Sequence, residues 1–154
     1  MRQIVDQEAP IHIEQVYDRL KQIYGHGRTG RRIKEYVNRT VKRAVRRRLI
    51  MRKGLFLWKP RQTNDSVRPR GPGDVARPPE HICLEEWQEA VHEILQQLGA
   101  TPREQVIRHA AAALLGYNRL SSEVRRFAED AVDHLVQQGR VTQHEGILHL
   151  TSGP

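Results

Sequence analysis

Residues 28–58 read RTGRRIKEYVNRTVKRAVRRRLIMRKGLFLW, and residues 119–150 read RLSSEVRRFAEDAVDHLVQQGRVTQHEGILHL. At an offset of 91, Arg28 falls on Arg119, Ile33 on Val124, Val37 on Ala128, Val41 on Val132, Val45 on Val136 and Ile50 on Val141. One extra residue in the second turn brings Gly54 onto Gly146, Leu55 onto Ile147 and Phe56 onto Leu148. The apolar frame is kept while the polar surface is rewritten. In such a repeat, what both copies share encodes the fold, and what only one copy carries is a candidate for function.

The first stretch predicts a helix over about 29–48, with Thr29 as N-cap and Ile33, Val37, Val41, Ala44 and Val45 on its inner face. Leu49–Arg52 and Leu55–Trp58 flank Lys53-Gly54 and predict a β-hairpin. Upstream, Ile4 and Val5 sit in a short helix ended by Pro10. Ile13, Val16, Tyr17 and Leu20 mark a second helix, running to about Tyr24 and stopped by Gly25 and Gly27. In the second copy, Leu84, Trp87, Val91, Ile94, Leu95 and Leu98 mark a helix of about four turns. Thr101 with Glu104 predicts a capping box, with Pro102 at the first helical position. Glu14-Gln15-Val16 recurs there as Glu104-Gln105-Val106. A third helix spans 121–138 with Ser121 or Ser122 as cap, and a hairpin closes the chain. The first helix of copy one is shorter than that of copy two: either copy one is trimmed or the chain begins inside a longer parent, and the second is the expectation.

Between the copies, KPRQTNDSVRPRGPGDVARPPE (59–80) holds five of the eight prolines and no apolar run, which predicts an extended basic linker. The fold class is therefore mainly α with short β-hairpins, arranged as tandem winged helix-turn-helix repeats. Residues 1–59 form a basic module, 60–80 the linker, and 81–154 an acidic-to-neutral module.

Net charge is +8, but it is segregated. Residues 1–77 hold 20 Lys/Arg and 7 Asp/Glu, or +13; residues 78–154 hold 6 and 11, or −5. Only the first half points to a polyanion partner. No stretch approaches the roughly 20 apolar residues of a membrane helix, and MRQIVDQEAP lacks a signal-peptide pattern. A cytoplasmic protein, open to association with the nucleoid, is expected, with no membrane partner. Cys83 is the only cysteine, so no internal disulfide and no cysteine-rich zinc site forms.

Ile4-Val5-Asp6-Gln7-Glu8-Ala9-Pro10-Ile11-His12, Tyr24-Gly25-His26-Gly27-Arg28-Thr29-Gly30-Arg31-Arg32-Ile33 and Gly54-Leu55-Phe56-Leu57-Trp58 together carry a family likeness. The chain resembles a bacterial domain of unknown function found near the C-terminal end of large superfamily-1 DNA helicases, some of which carry a Vsr-like endonuclease domain. Leu84-Glu85-Glu86, Leu115-Gly116-Tyr117-Asn118-Arg119 and the terminal hairpin are similar to the region that follows that domain. The resemblance implies an accessory role in DNA metabolism or defence. The helicase motor is not in this chain: Gly25-His26-Gly27-Arg28-Thr29-Gly30 lacks the Lys-Ser/Thr ending of a phosphate loop.

The chemistry concentrates on the third helix of copy one. Placing Ile33 at zero and stepping about 100° per residue, the apolar set spans roughly 0–120° and Arg32, Arg39, Lys42, Arg43 and Arg46 fall at roughly 180–280°. In a helix-turn-helix this helix enters the major groove with its N-terminal half nearest the bases. Arg28, Arg31, Arg32, Asn38 and Arg39 are the candidates for groove contact, with Asn38 suited to adenine and Arg to guanine. Lys42, Arg43, Arg46 and Arg47 suit phosphates, as does Thr29 at the helix N-terminus. Arg52 and Lys53 at the hairpin tip suit a backbone or minor-groove contact. A solvated helix face also carries bases, but Glu35 alone cannot balance nine of them between residues 31 and 48.

Copy two replaces Arg32 by Glu123, Arg39 by Asp130, Lys42 by Asp133, Arg43 by His134 and Arg46 by Gln137, and should repel DNA there. It reads as a packing, self-association or protein-docking module, and Asp130 or Asp133 is placed to meet Arg39 or Arg46. Histidine and carboxylate clusters lack metal or nuclease spacing, Cys83 reads as a small buried residue, and Trp58 as hairpin-to-core packing. The expectation is a non-catalytic nucleic-acid-binding module without cofactor or metal, for DNA before RNA. The competing expectation is a protein-interaction adaptor whose basic face docks an acidic partner.

Overall fold

The computed structural model describes residues 1–24, 31–63, 66–68 and 76–151. The chain divides into two compact units, Met1–Thr63 and Asn64–Pro154. Each is mainly helical with short antiparallel strands.

The first unit begins with α1 (Arg2–Glu8), whose Ile4 and Val5 are buried. Pro10 has no N–H to continue a helix, and the chain turns into β1 (Ile11–His12), then α2 (Ile13–Tyr24) and α3 (Arg31–Arg46). The hairpin is β2 (Met51–Lys53) and β3 (Phe56–Trp58). β1 pairs antiparallel with β3, so the hairpin becomes a three-stranded sheet of order β1-β3-β2. Ile11 sits opposite Leu57, and both are fully buried. With Ile4, Val5, Val16, Tyr17, Val37, Val41 and Ile50 they form one apolar cluster. The third strand was invisible in the sequence, because two residues are too few to show a period.

The second unit repeats this order: α4 (Leu84–Leu98), β4 (Thr101–Pro102), α5 (Arg103–His109) continuing as a π-helical turn over Ala110–Leu114, α6 (Ser122–Gln137), β5 (Val141–His144) and β6 (Ile147–Leu150). Its sheet order is β4-β6-β5. Thr101 does not cap α5 as the capping-box pattern predicts. Its backbone pairs with Leu148, its hydroxyl donates to the Gly99 carbonyl at 3.0 Å, and Glu104 bonds Arg125 instead. Ser121 does cap α6, its hydroxyl oxygen accepting from the Val124 N–H at 3.2 Å.

The bounds of the two units correspond closely. Adding 90 to β1 and α2 gives 101–102 and 103–114, the spans of β4 and of α5 with its π turn; adding 91 to α3 gives 122–137, the span of α6. The hairpins keep the offset of 91: Lys53 opposite Phe56 becomes His144 opposite Ile147. The extra turn residue expected from matching Gly54 to Gly146 is therefore not there. The shift falls between the second and third helices of the unit. The glycines misled because a two-residue turn takes positive φ at either central position: Gly54 comes first at 57°, whereas Glu145 at 49° precedes Gly146 at 78°.

Trp87 is the largest side chain at the centre of the second core, stacked on Tyr117 (5.9 Å between ring centres, 4° between planes) and Phe127 (6.2 Å, 12°). Beside it lies a charge with 2 % exposure, Glu86. The Arg77 guanidinium grips both its oxygens, one from Nη1 at 2.9 Å, and the Arg68 backbone N–H donates to Oε1 at 2.8 Å. The Tyr117 hydroxyl donates to the Arg77 carbonyl at 2.6 Å. Val67 packs on the same core. Part of the proline-rich stretch is thus anchored to the second unit by a buried ion pair. Removing one partner of such a pair costs about 3–5 kcal/mol, because the other charge stays buried. Arg77→Ala is expected to lower the unit's stability by that order in urea unfolding. Arg77→Ala with Glu86→Leu should recover most of the loss; a double variant no more stable than the single would refute this account.

Candidate nucleic-acid interface

α3 is amphipathic throughout. Val37 and Val41 are buried in the first core, with Ile33 and Ala44 half-buried at the edge of the same stripe. The opposite side is solvent-facing. Arg32, Arg39, Lys42 and Arg46 are exposed there, and among the described residues none has an acidic partner. Arg31 is exposed too, but its Nε lies 2.8 Å from Glu35. Lys34 points the other way, 3.6 Å from Glu14 and 5.3 Å above the Tyr17 ring. Like charges three or four residues apart on a helix each cost about 0.2–0.5 kcal/mol. Arg39, Lys42, Arg43 and Arg46 form several such pairs, a cost that bound anions would relieve.

Asn38 is half-buried, and its Oδ1 accepts from the Tyr17 hydroxyl at 3.4 Å. With Glu35, Arg39 and Lys42 it lines a shallow depression. Its carbonyl oxygen therefore faces α2 rather than standing free to read a base. Arg43 and Arg47 turn away from the main basic strip and border an apolar pocket with Ala44, Leu49 and Ile50. On the hairpin, Arg52 Nε donates to the Gly54 carbonyl at 2.8 Å, and Lys53 Nζ lies 4.3 Å above the Trp58 ring. Trp58 is 1 % exposed, as hairpin-to-core packing requires, and cannot stack on a base. Arg28 and Thr29 lie outside the described residues.

The equivalent face of α6 is built differently. Asp133 is held within its own unit by Arg103 at 2.8 Å. Arg125 bonds both oxygens of Glu104, at 2.6 and 2.8 Å, and tops Glu129 at 3.6 Å. Those hydrogen bonds and the Arg125 charge, with help from Arg108, hold the Glu104 carboxyl down from 4.5 to about 2. A depressed carboxyl stabilises the fold above its unfolded range, so this link between α5 and α6 persists until the pH falls toward about 2. Cys83 is 2 % exposed and burial pushes its thiol up to about 12, which leaves almost no thiolate near neutrality. Among the described residues no three His, Cys, Asp or Glu side chains converge to hold a metal, and no helix is long and apolar enough to cross a membrane.

A family profile described as a protein of unknown function (DUF3320) matches residues 1–35, which cover α1, β1, α2 and the start of α3. No curated protein and no solved structure matches the chain.

One basic residue escaped the sequence reading. Arg48 follows α3 with φ at 57°, in the left-handed region, and is exposed. Its counterpart in the second unit, 48 + 91 = 139, is Gly139 with φ at 68°. A helix ending this way favours glycine, and a side chain there costs about 1–2 kcal/mol. The signal lay in the internal alignment, as Arg where the other copy has Gly. Arg48→Gly should stabilise the first unit by about 0.5–1 kcal/mol net of glycine's extra unfolded-state entropy. Urea unfolding measures this, and a destabilised variant would show that Arg48 makes contacts that outweigh its strain.

Proposed function

We propose that this chain is a non-catalytic nucleic-acid-binding protein made of two winged helix-turn-helix modules. In this reading the first binds duplex DNA through phosphates, and the second serves packing or protein contacts. The helix, short strand, two helices and hairpin of each unit support the winged-helix assignment. One observation carries the functional reading: Arg32, Arg39, Lys42 and Arg46 share an exposed face without acidic partners, while the matched positions of α6 are Glu123, Asp130, Asp133 and Gln137. Arg47 and Arg48 extend the positive surface past the helix end. Phosphates are the preferred target because half-buried Asn38 offers little to a base edge, so affinity would depend on charge more than on sequence. The resemblance to a domain of DNA helicases suggests an accessory role in DNA processing or defence, in the cytoplasm or on the nucleoid.

Fluorescence anisotropy with a labelled 20-base-pair duplex tests the reading on the full chain. Neutralising about six phosphates predicts a log–log salt slope near −5. Arg39→Glu with Arg46→Glu should abolish binding, whereas the exposed pair Arg119→Glu with Arg126→Glu should change it little. Arg48→Gly should flatten the slope by about one. Equal losses from both charge reversals, or no binding near 50 mM salt, would reject the DNA reading. In the second case the basic face would be left to an acidic protein, which a charge-reversed variant would equally fail to bind.

A further inference from the structure

We infer that the hairpin tip of the first unit is a minor-groove wedge, with Leu55 entering between base pairs and bending the duplex. Such a wedge presupposes the DNA reading and adds to it a deformation that phosphate contacts alone do not supply. The two hairpins are closed by matched pairs, Lys53 opposite Phe56 and His144 opposite Ile147. Each tip is also tied to the first residue of its unit's second helix. The Ile13 N–H donates to the Leu55 carbonyl and the Arg103 N–H to the Gly146 carbonyl, both at 2.9 Å. The frame is thus shared, and Leu55 stands where the second unit has Gly146. Leu55 is 53 % exposed and lies outside the buried cluster of its unit, so core packing does not account for it. Nor does the turn, since two-residue hairpin turns favour Gly, Asn and Asp.

The charge around the tip names the occupant. From Tyr36 to Asn64 the chain has ten Lys or Arg and no Asp or Glu, so an apolar group carried here is offered to a polyanion. Arg52 sits beside it. Its Nε is fixed on the Gly54 carbonyl at 2.8 Å, which leaves both Nη groups to other acceptors, and among the described residues no carboxylate pairs with it. The minor groove of B-DNA is roughly 6 Å wide, too narrow for a helix but open to side chains from a turn. Its floor presents acceptors that suit an arginine. An apolar side chain finds nothing to bond there and gains by leaving water between two partly unstacked bases. The second unit lacks each of these parts. Gly146 has no side chain, Glu145 would repel phosphate, and Gln143 replaces Arg52 with its Oε1 accepting from Arg103 at 3.1 Å.

The probe is a duplex of about 20 base pairs with donor and acceptor dyes on its ends and one central TA step, a step that kinks easily. A base analogue whose fluorescence is quenched by stacking replaces the adenine of that step. When the full chain saturates this duplex, energy transfer between the ends should rise as for a bend of roughly 20–90°, and the analogue should brighten. Leu55→Gly and Leu55→Ser, both at an exposed position, should abolish the bend and the brightening. They should leave the salt slope of binding unchanged, because no charge is removed. Leu55→Met should retain the bend, and Arg52→Gln should flatten the slope by about one. Binding without a bend would overturn the wedge and leave the DNA reading standing. So would a bend that survives in both Leu55→Gly and Leu55→Ser. Absence of duplex binding by the unaltered chain would overturn both.

Discussion

Each unit depends on two residues of extended chain that lie between its first and second helices. Ile11 opposite Leu57, and Thr101 opposite Leu148, clamp the second hairpin strand to the helical layer. A two-stranded ribbon alone is marginal in water. The third strand gives β3 and β6 partners on both edges and fixes which face each presents. Because side chains alternate along a strand, a slip of one residue would turn Leu57 or Leu148 outward and bring Phe56 or Ile147 into the core. Everything further out, from the helix faces to the hairpin tips, inherits its orientation from that register.

On this shared frame the two units distribute charge in opposite ways. The second pairs most of its arginines internally: Arg103 with Asp133, Arg125 with Glu104, Arg140 with Glu89 and Arg77 with buried Glu86. The first leaves a run of arginines along α3 facing solvent, and places Arg48 at a left-handed position that glycine fills in the other unit. Repulsion along a helix and backbone strain both oppose folding. The first copy keeps both at a cost in stability that the second avoids, and the polyanion partner proposed above is what would offset it.

The sequence read alone located the helices well, because α3 and α6 each carry apolar residues at helical spacing over four turns. It also showed which copy holds the unbalanced charge. It misplaced details where a signal has more than one physical meaning. Thr101-Pro102 followed by Glu104 fits a helix start, yet the same residues pair with β6, since a chain entering a helix and a chain ending a strand have similar extended backbones. The turn glycines implied an insertion that the ladder excludes. Of the site, the basic face was legible from the helical wheel, but the turning of Asn38 toward Tyr17, of Arg43 and Arg47 toward the apolar pocket, and of Lys53 onto Trp58 was not.

The sequence by itself determined the duplication, the order of helices and hairpins, and the segregation of charge, since all three are written in spacing and composition along one dimension. Only the tertiary structure decided the strand register, the anchoring of Arg77 on Glu86 and the exposure of Leu55. Each of these joins or separates residues through packing between elements, and a contact of that kind leaves no period in the chain from which it could be read.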